Sequence, residues 1–177
     1  MIYYQPIQLK WGNAVVGIEE TGSIIGLWFE HQKYFPKNLP EPLISIPTAP
    51  ADKSGRAAYD TFNRLSEQMK AYEDHRLTAF ELPLNPTGTS FQRLIWTLLL
   101  NIPYGETTTY GQLSQEAAAA LGRTHMSAQA VGQAVGHNPI SLLIPCHRVV
   151  GAKGQLTGYA GGIDKKIALL RHEGSFY

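Results

Sequence analysis

Five of the chain's eleven prolines fall in one stretch, at Pro36, Pro40, Pro42, Pro47 and Pro50. Proline fixes φ and lacks a backbone N–H, so neither a helix nor a central strand can run through such a segment. The chain is thereby divided into two sets of elements with an irregular connection between them. Before the prolines lie three short runs suited to strands: Ile7 and Leu9, then residues 14–18, then Ile24–Phe29. Thr21-Gly22 separates the second and third as a hairpin turn would. After the prolines, Ser54 can cap a helix reaching about Tyr72, because Ala58, Phe62, Leu65 and Met69 recur at steps of three and four. Residues 80–84 read as one further short strand, bounded by Pro83 and Pro86. A boundary near Asn85-Pro86-Thr87-Gly88 gives an N-terminal unit, residues 1–86, of antiparallel sheet with a helix.

Residues 87–177 read as mainly helical. Thr89 or Ser90 caps residues 91–100, whose apolar face carries Phe91, Leu94, Ile95, Leu98 and Leu99. Thr109 caps a helix from Tyr110 to about Leu121, which Gly122 stops, and Ser127 caps Ala128–Gly136. Two short helices across a tight glycine-containing turn have the form of a helix-turn-helix. A last helix, Ile163–His172, opens with Asp164, whose charge suits the helix dipole. The fold class is therefore α+β. Ala128, Ala130, Gly132, Ala134 and Gly136 make the second helix of the pair thin. Such a stripe fits tight packing on a neighbouring helix as well as a close approach to a backbone or shallow groove. Only Gln129 and Gln133 could address base edges there.

The net charge is +1, which by itself points to no polyanionic partner. It is unevenly spread: −2 over residues 1–87 and +3 over residues 88–177. One cysteine allows neither an internal disulfide nor a thiolate zinc cluster, so a reduced, cytoplasmic location is expected. No run approaches the length of a membrane-spanning helix, and the first residues lack the features of a signal peptide.

That cysteine stands in Ile144-Pro145-Cys146-His147-Arg148-Val149. A free thiol titrates near about 8.5, and adjacent cations lower that value and raise the thiolate fraction. The setting therefore suits a nucleophile, although a lone cysteine is also a common small hydrophobe of cores. A direct Cys146–His147 hydrolase dyad is awkward, since neighbours on a strand point to opposite faces.

Several stretches together resemble the methylated-DNA–protein-cysteine methyltransferases, the O6-alkylguanine-DNA alkyltransferase family. They are Phe91-Gln92-Arg93 with Trp96, residues 102–110 (IPYGETTTY), Ala130-Val131-Gly132, Asn138-Pro139, residues 143–149 (LIPCHRV), Gly158-Tyr159-Ala160-Gly161-Gly162 and residues 169–174 (LLRHEG). The resemblance covers most of residues 88–174, while the N-terminal half agrees in layout only. It implies single-turnover repair of double-stranded DNA without a cofactor or metal. A damaged guanine, or an O4-alkylthymine, is flipped out and its alkyl group passes to Cys146. It further implies that His147 draws the thiol proton through a water, that Glu173 orients His147, and that Asn138 holds the loop. Tyr110 would contact phosphate and base. Tyr159, Val135 and the backbone at Val149 and Ala160 would form the base pocket, with Lys166 supporting its wall. Ala128, Gln129, Gly132 and Gln92 would face DNA. A monomer in the cytoplasm, at the nucleoid when bound, is the expected form. Arg148 is assigned to support of the loop.

Three departures stand out. Gln129 occupies the position where the family usually carries an inserting arginine. The N-terminal half has no cysteines for the structural zinc of some members. Ser141 stands where some members have a pocket proline. A non-catalytic lesion sensor of the alkyltransferase-like type is the first alternative, and a cysteine hydrolase the second.

Overall fold

The computed structural model describes residues 1–49, 53 and 55–176. Three antiparallel strands, β1 (Ile2–Leu9), β2 (Gly12–Glu19) and β3 (Ile24–Phe29), form a sheet with β2 in the centre. Pro6 lies within β1, which is tolerated because β1 is an edge strand. Ala14, Val16 and Ile18 of β2 enter the core. On β3 and β2, Gly26 and Gly17 are cross-strand partners, and the Trp28 indole lies over both. A Cβ at Gly26 would fall 1.9 Å from that ring, so the ring occupies the space a side chain would need.

The helix α1 (Arg56–Glu73) starts from Gly55, whose φ of +74° and missing side chain leave the N-cap without a side-chain hydrogen bond. Ser54, expected as the cap, lies outside the described residues. Ala58, Leu65 and Met69 of α1 are buried as their spacing predicts, joined by Tyr72 and by Thr61, whose hydroxyl donates to the Gly22 carbonyl at 2.8 Å. Phe62, expected on the same face, is only half-buried. The strand expected over residues 80–84 reduces to a single bridge between Leu84 and Ile24.

The second half holds α2 (Ser90–Leu99), β4 (Thr108–Thr109), α3 (Tyr110–Ala120), α4 (Ala128–Gly136), β5 (Val149–Val150) and α5 (Ile163–His172). Thr89 and Thr109 each form a reciprocal capping box, with Gln92 and Gln112, and Ser127 caps α4. The helices α2, α3 and α4 pack on one another. Gly122, at φ +63°, terminates α3 as expected. Small residues on α4 let the Trp96 indole N–H of α2 reach the Ala134 carbonyl at 2.9 Å. A short parallel pairing of β4 with β5, which no periodicity announced, ties the start of α3 to the segment that follows Cys146.

The core is continuous across residue 86. Leu27, Leu65, Tyr72, Ile95, Leu99, Ile140, Ile144, Cys146 and Leu169 belong to one buried cluster. The outer edge of β3 is closed by the other half, since Leu27 N–H donates to the Pro139 carbonyl and Ser141 N–H to the Leu27 carbonyl, at 2.9 and 3.0 Å. This pairing covers a sheet edge and fixes the approach to Cys146 in the same contact.

Candidate active site

Residues 138–150 run through the interior as a buried loop. Their backbone groups therefore need internal partners. Asn138 supplies several. Its Nδ2 donates to the Ile144 carbonyl at 2.8 Å and to Cys146 Sγ at 3.2 Å, and its Oδ1 accepts from Ile140 N–H at 2.9 Å. Leu142, buried at φ +70°, makes the reversal that lets Ile144 N–H donate back to the Ile140 carbonyl. Such a conformation costs a non-glycine residue about 1–3 kcal/mol and is held only by its surroundings.

Cys146, His147 and Arg148 form one turn of 3-10 helix. The expectation of a strand here is corrected: Pro145 cannot donate a ladder hydrogen bond, and Arg148 N–H instead bonds back to the Pro145 carbonyl at 3.0 Å. With three residues per turn, successive side chains diverge by about 120°. Cys146 borders a cavity, whereas His147 and Arg148 turn inward toward the end of α5.

Inside, Glu173 is the hub. Its Oε1 accepts from Tyr72 OH at 2.6 Å and from Arg148 Nη2 at 2.8 Å, and lies 2.9 Å from His147 Nε2. Its Oε2 accepts from Arg148 Nε at 2.9 Å, which makes the arginine bidentate. Arg148 Nη1 also donates to the Ile102 carbonyl at 2.6 Å. Arg148 thus supports the loop through a carbonyl as expected, and in addition neutralises Glu173.

Burial pushes the Glu173 carboxyl up, but hydrogen bonds from His147 and Arg148, with their charges, outweigh it and hold the group well below the usual carboxylate range. Burial lowers the His147 imidazole below its ordinary value against the pull of Glu173, so the ring is neutral near pH 7. With Glu173 ionised, Nε2 carries the proton and donates it, which leaves Nδ1 as an acceptor. That Nδ1 is buried and has no hydrogen-bond partner among the described residues. Burial also raises the Cys146 thiol, outweighing the Asn138 hydrogen bond and the Lys166 charge that lower it. This corrects the simple expectation of a thiolate favoured by its basic neighbours. Arg148 is spent on Glu173 and His147 is uncharged, so Cys146 rests as a thiol.

The cavity beside Cys146 has a volume of about 680 Å³. Ala128, Gln129, Gly132, Gln133, Val135 and Gly136 of α4 form one wall; Tyr110 and residues 157–160, including Tyr159 and Ala160, contribute the rest with Lys33 and Tyr34. The Tyr159 hydroxyl is buried beside the Ser141 side chain without a well-formed hydrogen bond, and burial, against the pull of Ser141, raises it well above the ordinary phenol value. Lys166 is fully buried behind this wall and donates to the Val149 and Thr157 carbonyls, tying β5 to the glycine-rich loop. Burial brings its ammonium down to about 8.

Two of the residues named for the pocket or the DNA face do not line the cavity. Gln92 does not reach the cavity: its side chain closes the capping box on Thr89, accepting from Thr89 N–H at 2.9 Å. Val149 does not line the cavity either, and its carbonyl already accepts from Lys166. Conversely, three contributors came from the N-terminal half unannounced. Lys33 is fixed by its N–H to the Ala160 carbonyl at 2.9 Å, Tyr34 stacks on His137 at 4.0 Å between ring centroids, and Tyr72 reaches Glu173. Tyr72 offered one signal, its place at the helical spacing of Leu65 and Met69, which announces burial and says nothing of its hydroxyl.

An α+β protein with one buried thiol on a cavity, followed in the chain by a histidine paired to a carboxylate, brings together the residue types that cysteine nucleophile chemistry uses. Comparison with known proteins narrows this. The family described as 6-O-methylguanine DNA methyltransferase, DNA binding domain, matches residues 90–175. A methylated-DNA–protein-cysteine methyltransferase of Mycobacterium tuberculosis is 48% identical over 114 residues, 64% of this chain and 66% of that relative. One from Methanosarcina acetivorans is 47% identical over 64% of this chain and 70% of its own length. The crystal structure of Mycobacterium tuberculosis OGT in complex with DNA superposes with a TM-score of 0.79 at 36% identity, covering 98% of this chain and 93% of that one. The chain belongs to the methylated-DNA–protein-cysteine methyltransferase family. Its sequence alignment spans about two thirds of the mycobacterial relative, while the structural match extends through the N-terminal half.

Proposed function

We propose that this protein repairs alkylated guanine in double-stranded DNA by one irreversible transfer of the alkyl group to Cys146. The observation that carries this reading is the buried Glu173–His147 pair, 2.9 Å apart, whose histidine follows directly in the chain on a thiol that borders a cavity and keeps one imidazole nitrogen without a partner among the described residues. The thiol rests protonated, so the proton must be removed as the reaction proceeds. His147 Nδ1 accepts it through a water, and Glu173 stabilises the imidazolium that forms. The Cys146 sulfur then forms its bond to the alkyl carbon as the carbon–O6 bond breaks. Guanine leaves with that electron pair and takes up a proton from the Tyr110 hydroxyl; solvent water then reprotonates Tyr110 and takes the proton from His147, so that the proton lost by sulfur is balanced by the one gained by the base. The Tyr159 hydroxyl, which makes no well-formed hydrogen bond in the free protein, gains a partner on the flipped base. Asn138 holds the sulfur and the loop while the bond forms, and Lys166 holds the wall.

The DNA side of the proposal rests on α4. Its small residues permit close approach to a groove, and minor-groove binding draws on shape more than on base-specific side chains. Gln129, on the cavity wall, fills the position left by the flipped nucleotide. Flipping costs a few kcal/mol, less at a weakened lesion pair. Lys33 adds a cation at the cavity rim. Among the described residues no helix is long and apolar enough to cross a membrane. The proposed form is a monomer acting in the cytoplasm, at the nucleoid when bound to DNA.

A sensor that binds lesions without reacting is disfavoured by Cys146 itself. The test is mass spectrometry of the protein after mixing with a duplex containing O6-methylguanine. One stable methyl gain on Cys146, after which no second equivalent is consumed, is expected. Binding without mass gain would overturn the reading in favour of the sensor, and turnover of an acyl substrate would overturn it in favour of a hydrolase.

A further inference from the structure

His147, Arg148 and Glu173 all come from the second half of the chain, but the carboxylate they share has a fourth donor from the first. Tyr72 is at the end of α1 and is fully buried, with its hydroxyl 2.6 Å from Glu173 Oε1, the same oxygen that faces His147 Nε2. We propose that Tyr72 is a positioning residue for alkyl transfer: its hydroxyl sets how strongly Glu173 supports the charge on His147, which makes the N-terminal half part of the proton relay. The proposal rests on the reading of the site given above.

The phenol ring is fixed independently of that hydrogen bond. It packs against Trp11, Phe80, Tyr104 and His172, with centroids 5.0–5.8 Å apart, and the Tyr72 carbonyl lies 2.8 Å from His172 Nε2. The fold thus holds the hydroxyl in place, and removing the oxygen leaves the ring contacts intact. A carboxylate oxygen shared by three donors gives less to each than one shared by two. Without the Tyr72 donor, Oε1 turns more of its charge on His147 and Arg148. Imidazolium is then favoured and His147 becomes more basic. The other titratable groups facing this cluster are Tyr104, whose hydroxyl donates to the His172 carbonyl, His172 itself with His75 stacked on it, and Lys166. None of these makes a hydrogen bond to Glu173, so Tyr72 is the donor through which the first half acts.

The experiment is the single-turnover methyl-transfer rate as a function of pH for the wild type, Tyr72→Phe and Trp11→Phe, with duplex affinity and melting temperature measured on each. Methyl gain by the wild type is scored first, and its absence would refute the alkyl-transfer reading itself. Given transfer, Tyr72→Phe is expected to move the acid limb of the profile to higher pH by about half a unit or more, with duplex affinity within about twofold of wild type. Trp11→Phe perturbs the same aromatic cluster and leaves the hydroxyl, so its limb stays in place even where its melting temperature falls. A Tyr72→Phe profile superimposable on the wild type would overturn the proposal, as would an equal shift in Trp11→Phe. Should Tyr72→Phe be too unstable for the full range, its rate relative to the wild type at two pH values within its stable range decides: a ratio that falls toward acid supports the proposal, and a constant ratio refutes it.

Discussion

Cys146 has two sides, and they are built differently. On the inner side every polar atom of Glu173 and Arg148 named above is engaged, and Tyr72, His147 and the Ile102 carbonyl complete the set. On the other side, the Tyr159 hydroxyl at the cavity has Ser141 beside it without a well-formed hydrogen bond, and His147 Nδ1, set behind the cavity, is buried without a partner among the described residues. A buried polar group without a hydrogen bond costs about 1–3 kcal/mol, so natural structures seldom keep one without cause. The comparison teaches where the protein has finished its structure and where it waits for a substrate. The satisfied side fixes geometry; the unsatisfied side supplies the hydrogen-bonding capacity that water and a flipped base would use.

Changes on the two sides should therefore differ in kind. The largest effect is expected at the boundary itself. Cys146→Ala abolishes methyl transfer altogether, while gel-shift affinity for the damaged duplex persists; loss of both would mean that the residue serves the fold more than the reaction. Next comes the inner side. Glu173→Gln leaves the buried Arg148 charge uncompensated and costs about 3–5 kcal/mol in urea denaturation. A loss below about 1 kcal/mol would show that the cluster is not rigidly coupled.

Acid probes the same cluster without mutation. Glu173 titrates in the folded protein well below its ordinary value of 4.5, so its contribution to stability is complete above that pH and is lost as pH falls further, through the folded value. Melting temperatures should drop steeply below about pH 4.5, and Glu173→Gln should blunt that drop. The reaction follows the His147 shift instead. Because folding lowers this imidazole from 6.5, the transfer rate should hold through pH 6.5 and decline only below it.

On the cavity side, effects on binding exceed effects on stability. Gln129→Arg adds one cation at the DNA face, so duplex affinity should tighten and the slope of log affinity against log salt should steepen by about 1. An unchanged slope would remove Gln129 from the interface. The smallest stability change is expected for Tyr159→Phe. It deletes a hydroxyl that makes no well-formed hydrogen bond, so the melting temperature should stay within about two degrees of wild type or rise slightly, while methyl transfer slows. A clear loss of stability would show that this hydroxyl is satisfied in the free protein.

Local chemistry made much of this legible in the chain. Thr109 and Ser127 cap α3 and α4 where their hydroxyls predict, and Gly122 and Gly174 take the positive φ that ends a helix. The thin face of α4 was visible in its alanines and glycines. Cys146, His147, Glu173, Asn138, Tyr110 and Tyr159 were named from motif resemblance, and the structure gathers them around one cavity and the network behind it. The miss at Cys146–Arg148 is instructive. A direct dyad was set aside on strand geometry, but Pro145 and the Asn138 hydrogen bonds impose a turn. Gln92 went to a cap because its position three residues after Thr89 made that local bond available first.

The sequence by itself determined most of the helices, several of their caps and the candidate thiol, because helix starts, turns and amphipathic faces depend on neighbours within a few residues. Only the tertiary structure decided the state of that thiol and the company of Glu173. Burial raises Cys146 although basic residues follow it in the chain, because desolvation depends on what surrounds a group in space. Likewise Tyr72 is 101 residues from Glu173, and nothing in a spacing or periodicity reports a contact over that separation. It exists because the core runs unbroken from α1 to α5, bringing the end of one helix against the end of the other.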